Sequence, residues 1–209
     1  MLKHLLFFFL LLLAVPTAII AQAPPTCPSG NIPAADNCQD ACIYCNLTSY
    51  TGTTIGYTNG VAAGFCGTIE SEQWLGFVAG ASVATITVMP SNCFLGNGVQ
   101  VAIYDDCLGT PIPNGCNMGT FGGGNTPVSV TVGLTPNTVY YLMVDSWAGD
   151  LCDFTINVSP PGAAIGLEFE TQAGVFCPGG SVTIDGIVFT QAGTYSYTYP
   201  SMNGGCDTL

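Results

Sequence analysis

The clearest alternation of apolar and polar positions runs from Pro127 to Val158, PVSVTVGLTPNTVYYLMVDSWAGDLCDFTINV. Val128, Val130 and Val132 alternate with Ser129, Thr131 and Gly133, the period of a strand with one buried and one wet face. Leu134 to Thr138 reads as a reversal, because Pro136 pre-sets φ and Asn137 tolerates the left-handed conformation. Val139 to Val144 is apolar on both faces, the pattern of a central strand, and Ser146 to Asp150 interrupts it with small and acidic residues. Phe154, Ile156 and Val158 then alternate with Thr155 and Asn157 to give a third strand, closed by Pro160-Pro161.

The same rhythm extends upstream. Trp74 to Val78, Val83 to Val88 and Val99 to Tyr104 read as strands, separated by turn signals at Gly80, Met89-Pro90-Ser91-Asn92, Gly96-Asn97-Gly98 and Asp105-Asp106. Weaker strands near Tyr50 and over Ile55 to Tyr57 bring the number to about eight, enough for two packed sheets. No window carries a helical period. The fold class is therefore all-β, a disulfide-rich antiparallel β-sandwich over residues 38–160. Residues 161–176 read as a linker, and 177–209 as a small second β unit with strands at Val182 to Ile184, Ile187 to Phe189 and Thr194 to Tyr199.

The N-terminus has a different pattern. Met1 to Lys3 is a short positive segment and Leu5 to Val15 an apolar one, followed by Pro16 and small residues, so residues 1–21 read as a secretory signal peptide. Residues 22–37 form a Pro- and Cys-containing lead-in. No second membrane segment is found, and the mature chain is expected to be secreted or held at the cell surface, with no membrane insertion.

Charge then narrows the function classes. The chain holds one Lys, one His and no Arg against 13 acids, and Lys3 and His4 both lie in the signal peptide. A mature chain without a single base repels phosphate backbones and anionic lipid, which argues against nucleic acid and attracts divalent cations or basic partners. It also excludes a Ser-His-Asp triad, a Cys-His pair and a Lys nucleophile. Only carboxylate chemistry survives, with Glu70 and Glu72, or Asp145 and Asp150, as the pairs that could serve a glycosidase. Glu70 and Glu72 read more simply as solvated turn residues, so no catalytic residue is assigned. Charged residues are 7% of the chain and hydrophobic ones 48%, a composition that folds.

Eleven cysteines behind a signal peptide indicate disulfides. Nine lie between Cys27 and Cys152, which leaves one over, and Cys27 in the lead-in is the candidate. Cys107 is expected to pair with Cys116 and Cys177 with Cys206. Cys42-x-x-Cys45 lacks the βαβ context of a redox motif and a second pair for zinc, so it reads as structural.

For binding, a hard cation wants several oxygens. Asp145, Asp150 and Asp153 flank one hairpin loop and Asp105 ends another strand, so a calcium site would use these four if their strand ends share one edge. No other cofactor is expected. Trp147, between Asp145 and Asp150, either stacks on a sugar or partner at the loop tip or folds back over the sandwich edge.

The segments QWLGFVAG, GVQVAIYDDC and LTPNTVYYLMVDSWAGDLCDFTINV together resemble the pre-peptidase C-terminal (PPC) and CUB-like jelly-roll modules of secreted bacterial proteins, especially Bacteroidetes surface proteins. The resemblance covers most of residues 38–160, and the cysteine load is heavier than such modules carry. Residues 177–209 resemble the short Cys-bounded β repeats of the same proteins, with the next strand expected beyond Leu209, as in a fragment of a longer chain. The resemblance implies a non-catalytic extracellular binding or adhesion module, with a calcium-dependent carbohydrate-binding accessory domain as the alternative. Its partner would be an extracellular polysaccharide or a surface protein.

Overall fold

Alternation becomes two four-stranded antiparallel sheets. The computed structural model describes residues 24–28, 32–165 and, nearer the C-terminus, 174, 175, 177, 179–184, 186–191, 193 and 195. The segment read as a signal peptide, Cys206 and most of the strand expected over Thr194 to Tyr199 lie outside these residues. The strands are β1 (Thr51–Thr53), β2 (Gln73–Val78), β3 (Val83–Ser91), β4 (Val99–Tyr104), β5 (Cys116–Asn117), β6 (Val128–Gly133), β7 (Val139–Ser146) and β8 (Asp153–Ser159). One sheet has the order β1-β8-β3-β6 and the other β2-β7-β4-β5. Strands that follow one another in sequence lie mostly in opposite sheets, the winding of a jelly roll. A separate hairpin, β9 (Val182–Ile184) with β10 (Ile187–Phe189), forms the described part of the small second β unit.

The core lies between the sheets. Ala84, Ile86 and Val88 of β3, the three valines of β6 and Phe154, Ile156 and Val158 of β8 face Leu75, Phe77, Val101, Ile103, Leu142 and Val144 across it. The outer face of the β1-β8-β3-β6 sheet is wet, and Thr85 with Thr131 and Thr87 with Ser129 hydrogen-bond across it.

The second sheet is different, because β2 and β4 are buried at every position. Its outer face carries Trp74, Met143, Ala102 and Tyr104, and these pack under the cysteine-rich segment before β2, against Cys38, Ala41 and Ala62. That cap has almost no regular structure of its own. It is held by single bridges, Ala35 to Trp74 and Ile43 to Gly76, and by disulfides Cys38–Cys107 and Cys66–Cys116. Three tyrosines clamp its N-terminal strap: Tyr44 and Tyr50 donate to the Ile32 carbonyl, and Tyr57 to that of Ala34. At Gly76 a side chain would meet the Cys42 carbonyl at 2.8 Å, so the strap can lie on β2 only over a glycine.

Several expectations are corrected. Cys107 does not pair with Cys116: the register Ala102 to Cys116 turns Cys116 toward the cap, where it meets Cys66, while Cys107 meets Cys38. Cys27 is not left over, because the bridge from Thr26 to Ile43 sets it beside Cys42, to which it is bonded. Cys45 is also disulfide-bonded, and Cys93 pairs with Cys152. Cys177 carries an exposed free thiol, and the Cys206 expected to pair with it lies outside the described residues.

Described parts of the lead-in and linker also belong to the domain. Ala34 packs into the core, and so do Ala163 and Ala164, which return beside Ala79 and Leu47. Ile55 to Tyr57 is a turn rather than a strand. β3 runs through Met89 and Pro90, where a turn was expected. Pro90 is tolerated because β6 pairs β3 only as far as Val88, so the missing N–H faces no strand.

Disulfides in this number indicate an oxidising compartment. Among the described residues no helix is long and apolar enough to cross a membrane. Replacing Cys38 and Cys107 together by Ser is expected to cost about 2–5 kcal/mol of unfolding free energy, read from denaturant melts of the oxidised protein.

Candidate functional site

Several features that could contact a ligand gather at the end of the sandwich where β7 hands over to β8. Three loops meet there, 92–98, 118–127 and 147–152, joined by the turn after β1. Asp150 organises them. Its Oδ1 accepts the Leu95 N–H at 2.6 Å, and its Oδ2 accepts those of Asn97 at 2.6 Å and Gly98 at 2.8 Å. Burial alone would raise its pKa, but the N–H groups of Gly98, Leu95, Asn97 and Leu151 outweigh that and hold the carboxyl below its ordinary value.

The surrounding bonds lock the same loops. Phe94 donates to the Leu151 carbonyl, Trp147 to that of Gly98 and Gly124 to that of Gly96. The Thr54 hydroxyl donates to the Asp150 carbonyl and accepts from the Cys152 N–H. The Cys93–Cys152 disulfide closes the set. Gly98 is required, since it has φ 92° and a Cβ there would approach the Gly124 carbonyl to 2.8 Å.

What this rigid end presents is apolar. Phe94 is 80% exposed, Phe121 66% and Leu95 54%, with Leu151 beside Phe94. Trp147 folds back, half-buried, with its ring centroid 5.0 Å from that of Phe121 and its Nε1 buried without a hydrogen-bond partner. The aromatic tips are therefore Phe94 and Phe121. A groove of about 480 Å³ opens nearby along β1 and β8, lined by Tyr50, Tyr57, Thr53, Ser91, Asp153 and Thr155 among others.

The chain matches no protein-family model and no curated protein.

The four aspartates read as a calcium set are not brought together. Asp105 follows Tyr104, which is paired with Tyr141, so it lies at the opposite end of the sheet from Asp145, roughly 17 Å away along the strands at about 3.4 Å per residue. Asp150 has its oxygens filled by N–H donors. Asp153 is exposed and bonded to Asn92. Among the described residues the only close trio of metal-ligand types is Cys93, Asp150 and Cys152, and its two sulfurs are already joined to each other.

Asp145 sits within β7, not in the loop after it, and points under the cap. It forms one row with Glu72 and Gln100, set by the registers of β2 and β4 against β7. Its Oδ1 accepts the N–H groups of Ser71 at 2.7 Å and Glu70 at 3.2 Å; its Oδ2 meets the Gln100 amide at 3.0 Å. Burial, reinforced by the nearby Glu70 and Glu72, pushes its carboxyl up to about 7 despite those donors. Glu72, nearly as buried and bonded to the Gly60 N–H, is raised for the same reason. Neither carboxylate is open to a substrate in a cleft.

Two of these roles were readable. Gln100 in the otherwise apolar strand VQVAIY is a buried polar residue that must find partners, and the run Gly96-Asn97-Gly98 exposes adjacent N–H groups that suit a carboxylate. Asp150 carries the second.

Asp150→Ala is expected to cost about 3 kcal/mol or more in denaturant melts, since three N–H groups lose a charged acceptor. For pH, Asp145 is protonated in the folded state up to about 7 and in the unfolded chain only below its ordinary value of 3.8. The folded state thus holds an extra proton between those values, and stability falls as pH rises through the window, by at most about 4 kcal/mol. Thermal melts in buffer free of divalent cations should show this decline from about pH 4 to 7, and Asp145→Asn should flatten it.

Proposed function

We propose that residues 32–165 serve as a non-catalytic binding or adhesion module of a secreted or cell-surface protein, with the Phe94, Leu95, Phe121 and Leu151 surface as its contact face. The observation that carries this reading is apolar exposure on loops that cannot relax. Flexible loops would fold such side chains inward, whereas Phe94, Leu95 and Leu151 are held out by the Asp150 carboxylate and a disulfide. Rigid aromatic tips lose little entropy on binding and make good anchors. The absence of any base after His4 and the burial of Glu72 and Asp145 both support a role without catalysis.

A carbohydrate-binding accessory domain is the second reading, favoured by the groove beside Tyr50 and Tyr57, where hydroxyl-bearing side chains and aromatic edges meet. Of the four aspartates first considered for calcium, only Asp153 lines this groove.

Retention of the mature chain, residues 22–209, on panels of purified polysaccharides and surface proteins tests both. The first reading expects retention that drops about tenfold or more in a Phe94→Ser, Phe121→Ser double variant with an unchanged melting temperature. Retention lost instead in Tyr57→Ala moves the site to the groove. Retention on nothing, or equal retention by all variants, overturns the proposal.

A further inference from the structure

Each sheet of the sandwich has two edge strands, and among the described residues three of these four edges are covered or cut short. Outside β2, Ala35 exchanges hydrogen bonds with Trp74, and Gly76 donates to the Cys42 carbonyl and accepts from Tyr44. β5 is two residues long and is pinned by the Cys66–Cys116 disulfide. β1 has three residues, and its Thr53 carbonyl accepts the Gln73 amide. β6 is the remaining edge, six residues long, with Ser129, Thr131 and Gly133 exposed.

The phase of the ladder determines which groups of β6 are open. Leu134 donates to the Ser82 carbonyl at 2.9 Å, directly across the β3–β6 register. Antiparallel ladders alternate bonded and non-bonded pairs, so Val128, Val130 and Val132 turn their N–H and C=O groups to β3, and Ser129, Thr131 and Gly133 turn theirs away. The Ser129 carbonyl is taken by the Asn117 amide at 2.8 Å. Thr131 and Gly133 therefore present two N–H donors and two carbonyl acceptors at the edge. A Cβ at Gly133 would touch nothing, so the strip is unobstructed on its wet side.

Two donors and two acceptors in this order are self-complementary. A two-fold axis through Val132, normal to the sheet, sets Thr131 of each copy against Gly133 of the other and closes four backbone hydrogen bonds. Both wet faces stay on one side, and the two four-stranded sheets join into one. Charge selects the same contact. After His4 the chain holds 13 acids and no base, so two copies repel except along uncharged surface. Ser82 to Met89 and Pro127 to Thr138, which contain β6 and the part of β3 paired with it, have no charged residue. The charges, prolines and bulges that guard the edges of monomeric sheets are missing from β6.

We infer that β6 is a homodimerisation edge, pairing antiparallel with β6 of a second copy through Thr131 and Gly133. It uses other residues than the loop-end surface proposed for partner binding, so either assignment can fail without the other.

Sedimentation equilibrium of the mature chain, residues 22–209, is the test, with a non-reducing denaturing gel to identify any dimer joined through Cys177. A reversible, non-covalent dimer is expected at about 10–100 μM. Its fraction should rise between about 20 and 500 mM salt, because screening relieves the repulsion between acidic copies. Thr131→Glu places a carboxylate of each copy beside the axis, and Thr131→Pro removes an outward N–H without breaking a bond to β3. Each should raise the dissociation constant about tenfold or more. Thr131 is exposed, so Thr131→Glu should melt close to the parent chain when both are dilute and monomeric. Phe94→Ser should leave the equilibrium unchanged. A chain that stays monomeric up to about 1 mM, a dimer that survives both Thr131 variants, or one lost in Phe94→Ser but not in them, overturns the proposal.

Discussion

A sheet with no wet face constrains everything else in this molecule. β2 and β4 are buried at every position, and β7 between them nearly so. The inward face is covered by the opposite sheet in the ordinary way of a sandwich. The outward face, with Trp74, Met143, Ala102 and Tyr104, needs another cover, and the cap supplies it. Since the cap has little regular structure, its order comes from bridges, tyrosine hydroxyls and disulfides that tie it to the sheet. The cysteine load is the consequence of covering an apolar sheet with irregular chain.

The second constraint is the absence of any Lys, Arg or His after His4. Buried acids normally find Arg or Lys partners. Here Asp150 uses three backbone N–H groups and fixes the loops that bear Phe94 and Leu95. Asp145 is buried with only two N–H groups and an amide, and these do not offset its burial, so its carboxyl is easily protonated. The two aspartates are close in sequence yet act in different places, one holding the loop end together and one lying under the cap.

The strands were legible because alternation over Val83 to Val88, Val128 to Val132 and Phe154 to Val158 reports one-sided burial directly. Strand extents failed where a tertiary neighbour overrode a local signal, as at Pro90, which is harmless only because β6 has already ended. The disulfides failed because pairing follows register: Cys116 faces the cap on account of its place opposite Ala102, which spacing does not encode. The site was legible in residue type but not in place. Asp145 and Asp150 were both singled out, but they act in different places and Asp105 and Asp153 join neither, while Gln100 in its apolar strand signals that it needs partners without saying which. Trp147 drew attention as the loop aromatic, whereas Phe94 and Phe121 are the tips left exposed.

Native-state amide hydrogen exchange would test the central claim, that the cap is an integral layer of the domain. If it is, Leu142 to Val144 of β7, flanked by strands and covered on both faces, exchange only through global unfolding and more slowly than β6, an edge strand with one wet face. Exchange in β7 as fast as in β6 would mean that the cap opens independently, contradicting this account.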